Sequence, residues 1–392
     1  MSDLRAAIAA VRDQLVADRR HLHAHPELAF QEHETAAYVA TRLRHLGIEM
    51  HTGIGKTGVK GVIRGGKPGK TVLLRADMDA LPIEEIGEMP YRSNRPGVMH
   101  ACGHDGHTAI LLAAAEILNN RRADLAGNIV LAFQPAEEHP PGGALGMIDD
   151  GVMDDPKVDA AFGLHLNSTP VGIVGMRSGP AMAAADSFRA EIIGHGGHAS
   201  RPQQAIDPVL IAANCVTTLH TIVSREVDPL QSAVITIGTI QAGTVPNVIP
   251  ATATMAGSVR TFDQGIREQL AQKIERTIVG IARAMGGDAK VDYRYGYPVM
   301  SNFEDMTEFV RSVALDVVGP EKTRTNPPIM ASEDVGYFIE KAGSGCYFTV
   351  GILNPAKGIT VTNHNPGFDI DEDALPIGVE MMVTVAERYL AL

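Results

Sequence analysis

Short apolar segments that alternate with helical patterns constrain the fold of this chain most. In the first half, a helical pattern over residues 103–119 lies among three apolar segments typical of strands, at residues 71–74, 128–133 and 158–164. Strands that alternate with helices are typical of βαβ units, in which the strands run parallel. We therefore expect an α/β fold with a mainly parallel sheet.

The middle of the chain has a different order of elements. A strand, a helix, two strands, a helix and a strand are predicted at residues 187–193, 207–224, 233–240, 251–261, 265–285 and 290–297. This β-α-β-β-α-β order is the ferredoxin-like arrangement. Afterwards, helical and strand-like patterns resume at residues 304–318, 346–351 and 373–392. The pattern predicts one domain formed by residues 1–185 and 297–392, and an inserted α+β domain over residues 186–296.

Composition excludes several classes of protein. The net charge of −12 gives the chain no attraction to phosphate backbones or anionic membranes, so we expect neither nucleic acid nor a membrane as a partner. No apolar run reaches the ~18–20 residues that span a bilayer. Arg5 and Arg12 interrupt the N-terminal segment, which predicts an amphipathic helix rather than a secretory signal. Three cysteines are too few, and too odd in number, for a disulfide framework. This favours a reducing compartment, so we expect a cytoplasmic protein.

The segment HACGHDGH at residues 100–107 points to a metal site. It places three histidines, a cysteine and an aspartate in a loop just before a predicted helix. Thiolate and imidazole groups suit zinc and similar divalent metals. Cys102 and His104 are two residues apart, so their side chains can point the same way in extended backbone. The plainer alternative is a polar loop that holds a cysteine by chance.

Other polar side chains follow predicted strands. Glu137 and Glu138 come directly after one strand, His165 ends another, and Asp77 and Asp79 follow a third. Each alone could be a charged turn, a core histidine or a helix cap. Ligands of α/β sheets bind beyond the carboxyl ends of strands. Because all of these residues are predicted at such ends, we expect them to belong to a single site. Nitrogen and sulfur ligands argue against magnesium or calcium and fit zinc, manganese, cobalt or nickel.

The predicted insertion carries its own polar segments. GHGGHASRP at residues 194–202 places His198 in a glycine-rich loop, which could equally be a plain turn. Asn247 and Arg260 are candidate substrate-binding residues, since a guanidinium group can bind a substrate carboxylate bidentately. A surface ion pair is the alternative for Arg260.

Taken together, these segments resemble the amidohydrolase branch of the aminoacylase-type metallopeptidases. This branch includes hippurate hydrolases, N-acyl-amino-acid deacylases and plant indole-acetyl-amino-acid hydrolases. The resemblance extends from RRHLHAHPELAFQEHET at residues 19–35, through HACGHDGHT and FQPAEE, to NHNP at residues 363–366 and the last helix. It implies a zinc-exopeptidase-like catalytic domain and an inserted ferredoxin-like lid and dimerisation domain, and hence a homodimer.

The resemblance also implies roles for single residues. Two metal ions per subunit would be held by Cys102, His104, Glu138, His165 and His364. Glu137 matches the general acid/base, Asp77 matches the carboxylate that orients a metal ligand, and His198 matches an oxyanion-stabilising histidine that often acts across the dimer interface. Sister branches have a histidine ligand two residues before that aspartate, where this chain has Arg75.

The expected reaction is metal-dependent cleavage of the amide bond of an N-acyl amino acid, hippurate-like or N-acetylated. Small dipeptides fit the same residues as an alternative substrate. A hydrolase with Cys102 as nucleophile is a second class, but it leaves Glu137, Glu138 and the other histidines without a role. A binding protein with a structural metal is a third, although structural sites are closed and usually four-coordinate.

Overall fold

The computed structural model describes residues 2–392. The helices are α1 (Ser2–Ala24), α2 (His33–His45), α3 (His104–Asn120), α4 (Ala144–Asp149), α5 (Pro208–Glu226), α6 (Gln264–Ala284), α7 (Glu304–Val317), α8 (Gly336–Ala342) and α9 (Ala374–Leu390). The strands are β1 (Glu49–Ile54), β2 (Gly58–Arg64), β3 (Lys67–Asp77), β4 (Ala126–Gln134), β5 (Ala160–Pro170), β6 (Val174–Met176), β7 (Gly179–Met182), β8 (Ala184–Ile193), β9 (Gly197–His198), β10 (Ala233–Ala242), β11 (Val248–Ile249), β12 (Thr252–Thr261), β13 (Asp288–Tyr297), β14 (Met300–Asn302), β15 (Thr323–Thr325) and β16 (Gly345–Leu353). The chain divides into two compact units.

The first unit extends through Gly179 and includes Ser301–Pro327 and Asp334–Leu392. Among its described residues an eight-stranded sheet has the order β1-β2-β4-β3-β5-β16-β6-β15. Four of the seven neighbouring pairs are parallel, and they include the central run β4-β3-β5-β16. The mainly parallel α/β sheet is therefore confirmed. Antiparallel pairs lie towards its ends, at β1-β2, β2-β4 and β16-β6.

Helix α3 is the centre of the first unit. It packs against α1, α9 and β3, and nearly every residue from His104 to Asn119 is buried. Small alanines in the stretch AILLAAAEIL allow this close approach on several sides at once. The predicted apolar face of α1 is confirmed, since Leu4, Ile8 and Leu15 are buried in the same core.

The elements that carry chemistry were largely predicted. The strands at residues 71–74 and 128–133 lie within β3 and β4, and the helix at residues 103–119 matches α3. The strand predicted at residues 158–164 is β5, but it continues to Pro170, so His165 lies within the strand and not at its end. The sequence did not predict α2 or the β1-β2 hairpin. Most of β1 is exposed, so its sequence lacks the alternation of apolar and polar residues that marks a half-buried strand.

The second unit consists of Pro180–Met300 and Pro328–Glu333. Its antiparallel sheet has the order β10-β12-β8-β13, and helices α5 and α6 pack on it around a separate apolar core. Along the chain these elements follow the predicted β-α-β-β-α-β order. The short segment Pro328–Glu333 joins this unit because Ile329 exchanges backbone hydrogen bonds with residues 181 and 183. None of the described helices is long and apolar enough to cross a membrane.

Candidate metal centre

The first two candidate ligands flank a glycine with left-handed backbone. Gly103 has φ 96° and precedes the first residue of α3. Only glycine adopts such a conformation at little cost, so the loop can turn sharply into the helix here. Cys102 and His104, on either side of it, are both buried. The local HACGH sequence therefore places a thiol and an imidazole next to each other at the helix start.

The five candidate ligands converge although they come from four distant segments. The ligand atoms of Cys102, His104 and His165 lie within 4.8 Å of one another, and so do those of Cys102, Glu138 and His364. Cys102 belongs to both groups. Its Sγ lies 3.4 Å from Nε2 of His165 and 3.3 Å from Nε2 of His364. The arrangement has two adjacent ligand groups that share one thiol.

The ring orientations leave ligand nitrogens facing the shared thiol. His104 donates from Nδ1 to the Asp79 carbonyl oxygen at 2.9 Å, and His165 donates from Nδ1 to the Leu166 carbonyl oxygen at 2.8 Å. A carbonyl only accepts, so each ring, in the neutral form that a metal ligand takes, has its lone pair on Nε2. The buried Nε2 of His104 has no hydrogen-bond partner among the described residues. An orphaned ligand nitrogen in this donor set fits a bound divalent metal.

The charges of the site also favour a cation. Burial and the neighbouring His107 hold the pKa of His165 well below its usual range, so its imidazole is neutral, as a metal ligand must be. Hydrogen bonds to Cys102 and Glu138 raise the pKa of His364 to about 10. Glu138 Oε1 lies 2.9 Å from His364 Nε2. A positive charge is therefore stabilised between these groups, whether a proton or a metal ion supplies it.

A third histidine of the HACGHDGH segment is used differently. His107 bonds from Nδ1 to the Asp77 carboxylate at 2.5 Å, and its Nε2 accepts the backbone N–H of Leu166 at 2.8 Å. Both ring nitrogens are therefore occupied, although His107 also lies near His104 and Asp77. The sequence could not separate His107 from its neighbours, because its partners come from two other strands.

Asp77 does not simply bond to one of the candidate metal ligands. Its carboxylate bonds to His107 and, at 2.6 Å, to Arg75, while His104 Nε2 lies 3.6 Å away. Arg75 also donates to Gln134 at 2.8 Å and to Asp334 at 3.0 Å, and all of these side chains are buried. Burial alone would raise the pKa of Asp77, but the Arg75 guanidinium holds it well below its usual value. Asp77 is thus a buried anion at the rim of the ligand cluster.

Glu137 and Glu138 lie on a strained loop after β4. Ala136 has left-handed backbone with φ 55°, a conformation that side-chain-bearing residues rarely adopt and that concentrates at functional sites. The loop is held by the Asp79 carboxylate, which accepts the backbone N–H groups of Glu137 at 3.0 Å and Glu138 at 2.9 Å. Glu137 Oε2 lies 3.9 Å from His104 Nε2, so its carboxylate faces the same site.

Two positioning carboxylates received no individual role from the sequence. The sequence pairs Asp79 with Asp77 after a strand, and it contains Glu32 within the segment RRHLHAHPELAFQEHET that resembles the family. Glu32 is buried and accepts the Ala136 N–H at 2.8 Å and the Thr57 hydroxyl at 2.6 Å. The position of Asp79 after a predicted strand was the one sequence feature that could have indicated this role. No sequence feature distinguished Glu32 in this way.

The remaining candidates lie in the second unit. Strands β9 and β11 pair there, and the backbone N–H of Ala199 bonds to the Asn247 carbonyl at 3.2 Å, so His198 and Asn247 lie on adjoining segments. His198 is exposed, and its Nδ1 accepts the Ser200 N–H at 3.1 Å, which leaves Nε2–H as a donor. Arg260 lies apart from them on β12, where burial lowers its pKa and Nη1 donates to the Met330 carbonyl at 3.3 Å.

Comparison with known proteins identifies the family. Residues 73–388 match the description Peptidase family M20/M25/M40, and this span includes every candidate ligand. The chain belongs to that peptidase family. It is 41% identical over 389 residues to the N-acetyl-L-cysteine deacetylase of Bacillus subtilis, covering 98% of this chain and 90% of that protein. It is 40% identical to thermostable carboxypeptidase 2 of Saccharolobus solfataricus, with 98% of each chain covered.

A solved structure of the same family is also similar. The YXEP protein of Bacillus subtilis, described as a dinuclear metal-binding peptidase from the M20 family, superposes with a TM-score of 0.85 and 34% identity. The match covers 98% of this chain and 99% of that one. The family relationship therefore extends over both units of the chain.

Proposed function

We propose that the protein is a metal-dependent amidohydrolase that cleaves N-acyl amino acids to a carboxylic acid and a free amino acid. The observation that carries the proposal is the pair of ligand groups that share Cys102, with the Glu137 carboxylate beside them. Such an open cluster differs from a closed four-ligand structural site. The similarity to a protein named as an N-acetyl-L-cysteine deacetylase supports this substrate class.

The proposed ligands are Cys102, His104, Glu138, His165 and His364, which would hold two ions of zinc, manganese, cobalt or nickel. When bound, such ions polarise an amide carbonyl and lower the pKa of water. Cys102 as a nucleophile is disfavoured, because burial raises the pKa of its thiol and no thiolate is favoured without a metal.

Glu137 is the proposed general acid/base. Its carboxylate would take a proton from the attacking water and return one to the leaving amine. Asp79 would hold the Glu137 backbone at the orientation that this transfer requires, and Asp77 would fix the ring of His107 beside His104. The exposed Nε2–H of His198 is a suitable donor to the oxyanion of the tetrahedral intermediate. Arg260 is the proposed partner of a substrate carboxylate, and Asn247 is a proposed substrate-binding residue.

A homodimer formed through the second unit is part of the proposal. Strand β10 lies at the edge of its sheet and exposes Val234 and Ile240, and exposed edge strands are ready to pair. Light scattering measures whether the protein in solution has the mass of one subunit or of two. If His198 acts across the interface, a monomeric variant loses turnover, and a fully active monomer would contradict that role. A reducing compartment such as the cytoplasm is proposed because the cysteines remain unpaired.

The test is hydrolysis of a panel that contains hippurate, N-acetyl amino acids and two dipeptides. Each substrate is measured with protein as purified, after chelation, and after return of manganese, zinc, cobalt or nickel. Metal-restored cleavage of N-acyl amino acids supports the proposal. Preferential cleavage of dipeptides would favour the second candidate, a carboxypeptidase, which the similarity to thermostable carboxypeptidase 2 suggests. Chelator-resistant cleavage would contradict both.

A further inference from the structure

Asn363 joins three of the segments that carry the candidate ligands. Its Nδ2 group donates to the carbonyl oxygen of Cys102 at 3.0 Å and to that of Leu166 at 3.3 Å. The Leu166 carbonyl is the same one that receives Nδ1–H of His165. Asn363 itself directly precedes His364 in the chain. The side-chain amide of Asn363 therefore contacts the backbone at Cys102 and next to His165. The residue that follows Asn363 in the chain is His364, the third ligand of this set.

The orientation of this amide follows from its partners. Both carbonyls can only accept, so the NH₂ group must face them. The amide oxygen in turn accepts the hydroxyl of Ser168, and the Ser168 oxygen accepts the Asn363 backbone N–H at 3.1 Å. Asn363 and Ser168 thus hold each other in place. Neither aspartate nor alanine could make the same contacts, because each lacks the two donors.

The backbone that follows needs such support. His364 has left-handed φ of 63°, which is uncommon for a residue with a side chain and persists only where surrounding contacts enforce it. Its N–H bonds to the Ala101 carbonyl at 2.7 Å, and its imidazole is half exposed, so few packing contacts fix it. The bonds of Asn363 lie immediately before this strained residue.

We propose that Asn363 is a positioning residue for metal binding, which sets the relative places of Cys102, His165 and His364 through its side-chain amide. The inference rests on the proposed metal-dependent function. Groups that hold metal ligands in place typically change metal affinity by about 10–100-fold when they are replaced. A residue that only anchored the loop would lower the stability of the metal-free protein and leave the affinity for metal unchanged.

The most informative variant is Asn363→Asp. It keeps the size of the side chain, removes the donors, and adds a negative charge near the cluster. Charge alone would strengthen cation binding, whereas loss of positioning weakens it, so the two effects have opposite signs. Asn365→Asp is the matched control: it adds the same charge in the same loop, where the Asn365 side-chain oxygen accepts the Gly367 N–H at 3.0 Å, a bond that an aspartate can also make.

Binding of Mn²⁺ and Zn²⁺ to the metal-free proteins is measured by calorimetry, and unfolding of the metal-free proteins by urea. We expect Asn363→Asp to raise the dissociation constant by about 10–100-fold relative to Asn365→Asp. Ser168→Ala keeps Asn363 and removes its orienting partner, so it should shift the constant in the same direction by less. This milder variant covers the case in which Asn363→Asp does not fold.

The outcomes separate this inference from the proposed function. Wild-type protein that binds neither metal would overturn the proposed function and this inference with it. If the wild type binds metal, but Asn363→Asp and Ser168→Ala bind it as tightly as Asn365→Asp, only the role of Asn363 is overturned. A lower urea midpoint with unchanged metal affinity would likewise reduce Asn363 to a loop anchor.

Discussion

Replacing Asp79 with asparagine tests how the catalytic loop is held. The two carboxylate oxygens of this buried side chain accept the N–H groups of Glu137 at 3.0 Å and Glu138 at 2.9 Å. An asparagine amide has one acceptor oxygen, so the second N–H would face an NH₂ group. Losing one charge-assisted bond and leaving one buried N–H unpaired should cost about 2–4 kcal/mol of unfolding free energy.

The same change should slow catalysis, because Glu137 loses one of the bonds that orient it. A displacement of about 1 Å can cost on the order of 100-fold in rate, so we expect kcat for an N-acyl amino acid to fall at least tenfold. Urea unfolding of the metal-free protein gives the stability, and initial rates at saturating substrate give kcat.

Asp150→Asn is the matched control for Asp79→Asn. Asp150 is exposed and accepts a single backbone N–H, that of Gly55 at 2.7 Å, through one oxygen. The asparagine oxygen can make the same bond, so stability and kcat should stay close to wild type. The reasoning about Asp79 is refuted if Asp79→Asn is as stable and as active as Asp150→Asn.

Three further perturbations give separate expectations. Glu137→Gln removes the proton acceptor, so kcat should fall by about 10²–10⁴-fold while elemental analysis finds the same metal content; turnover at the wild-type rate would contradict the assigned role. Chelation should abolish hydrolysis and leave far-UV circular dichroism unchanged, because none of the five candidate ligands belongs to the apolar core of the first unit. Loss of helical signal would show that the metal holds the fold. In the wild type, Arg267 contacts the buried Asp186 bidentately, with a shortest N–O distance of 2.6 Å. Arg267→Ala removes this partner and should lower the free energy of unfolding, measured in urea, by about 3–5 kcal/mol. Arg294→Ala breaks an exposed pair and should cost under about 1 kcal/mol, so equal losses in the two variants would refute this account.

The local part of the candidate site could be predicted from the sequence. HACGH places a thiol and an imidazole two residues apart. The two side chains therefore stay close to each other in any fold in which a helix begins at this segment. Glu138 could be grouped with the other candidates because it follows a strand, and parallel strands bring their carboxyl ends to one edge of a sheet. The register confirms this logic, with Asp77 of β3 opposite Gln134 of β4. The same argument placed His165 at a strand end, whereas it lies within β5, which continues to Pro170.

The positioning contacts could not be predicted, because they join residues far apart in the chain. Asp79 holds a loop that begins more than fifty residues later, and Asn363 bonds to Cys102 from near the other end of the sequence. Hydrophobic periodicity carries no information about such pairs. The different uses of His104 and His107 show the same limit, since both are buried histidines in one helical turn and only their partners distinguish them.

The place of β16 in the sheet has a consequence for synthesis of the chain. This strand lies between β5 and β6, although some 170 residues of sequence separate it from them. While the ribosome makes the intervening residues, β5 has no neighbour on the side that β16 will occupy, and its unpaired edge is open to wrong pairing. His364 emerges later still. A nascent chain therefore acquires the complete eight-stranded sheet and the full set of candidate ligands only after β16 and the loop that carries His364 have been made.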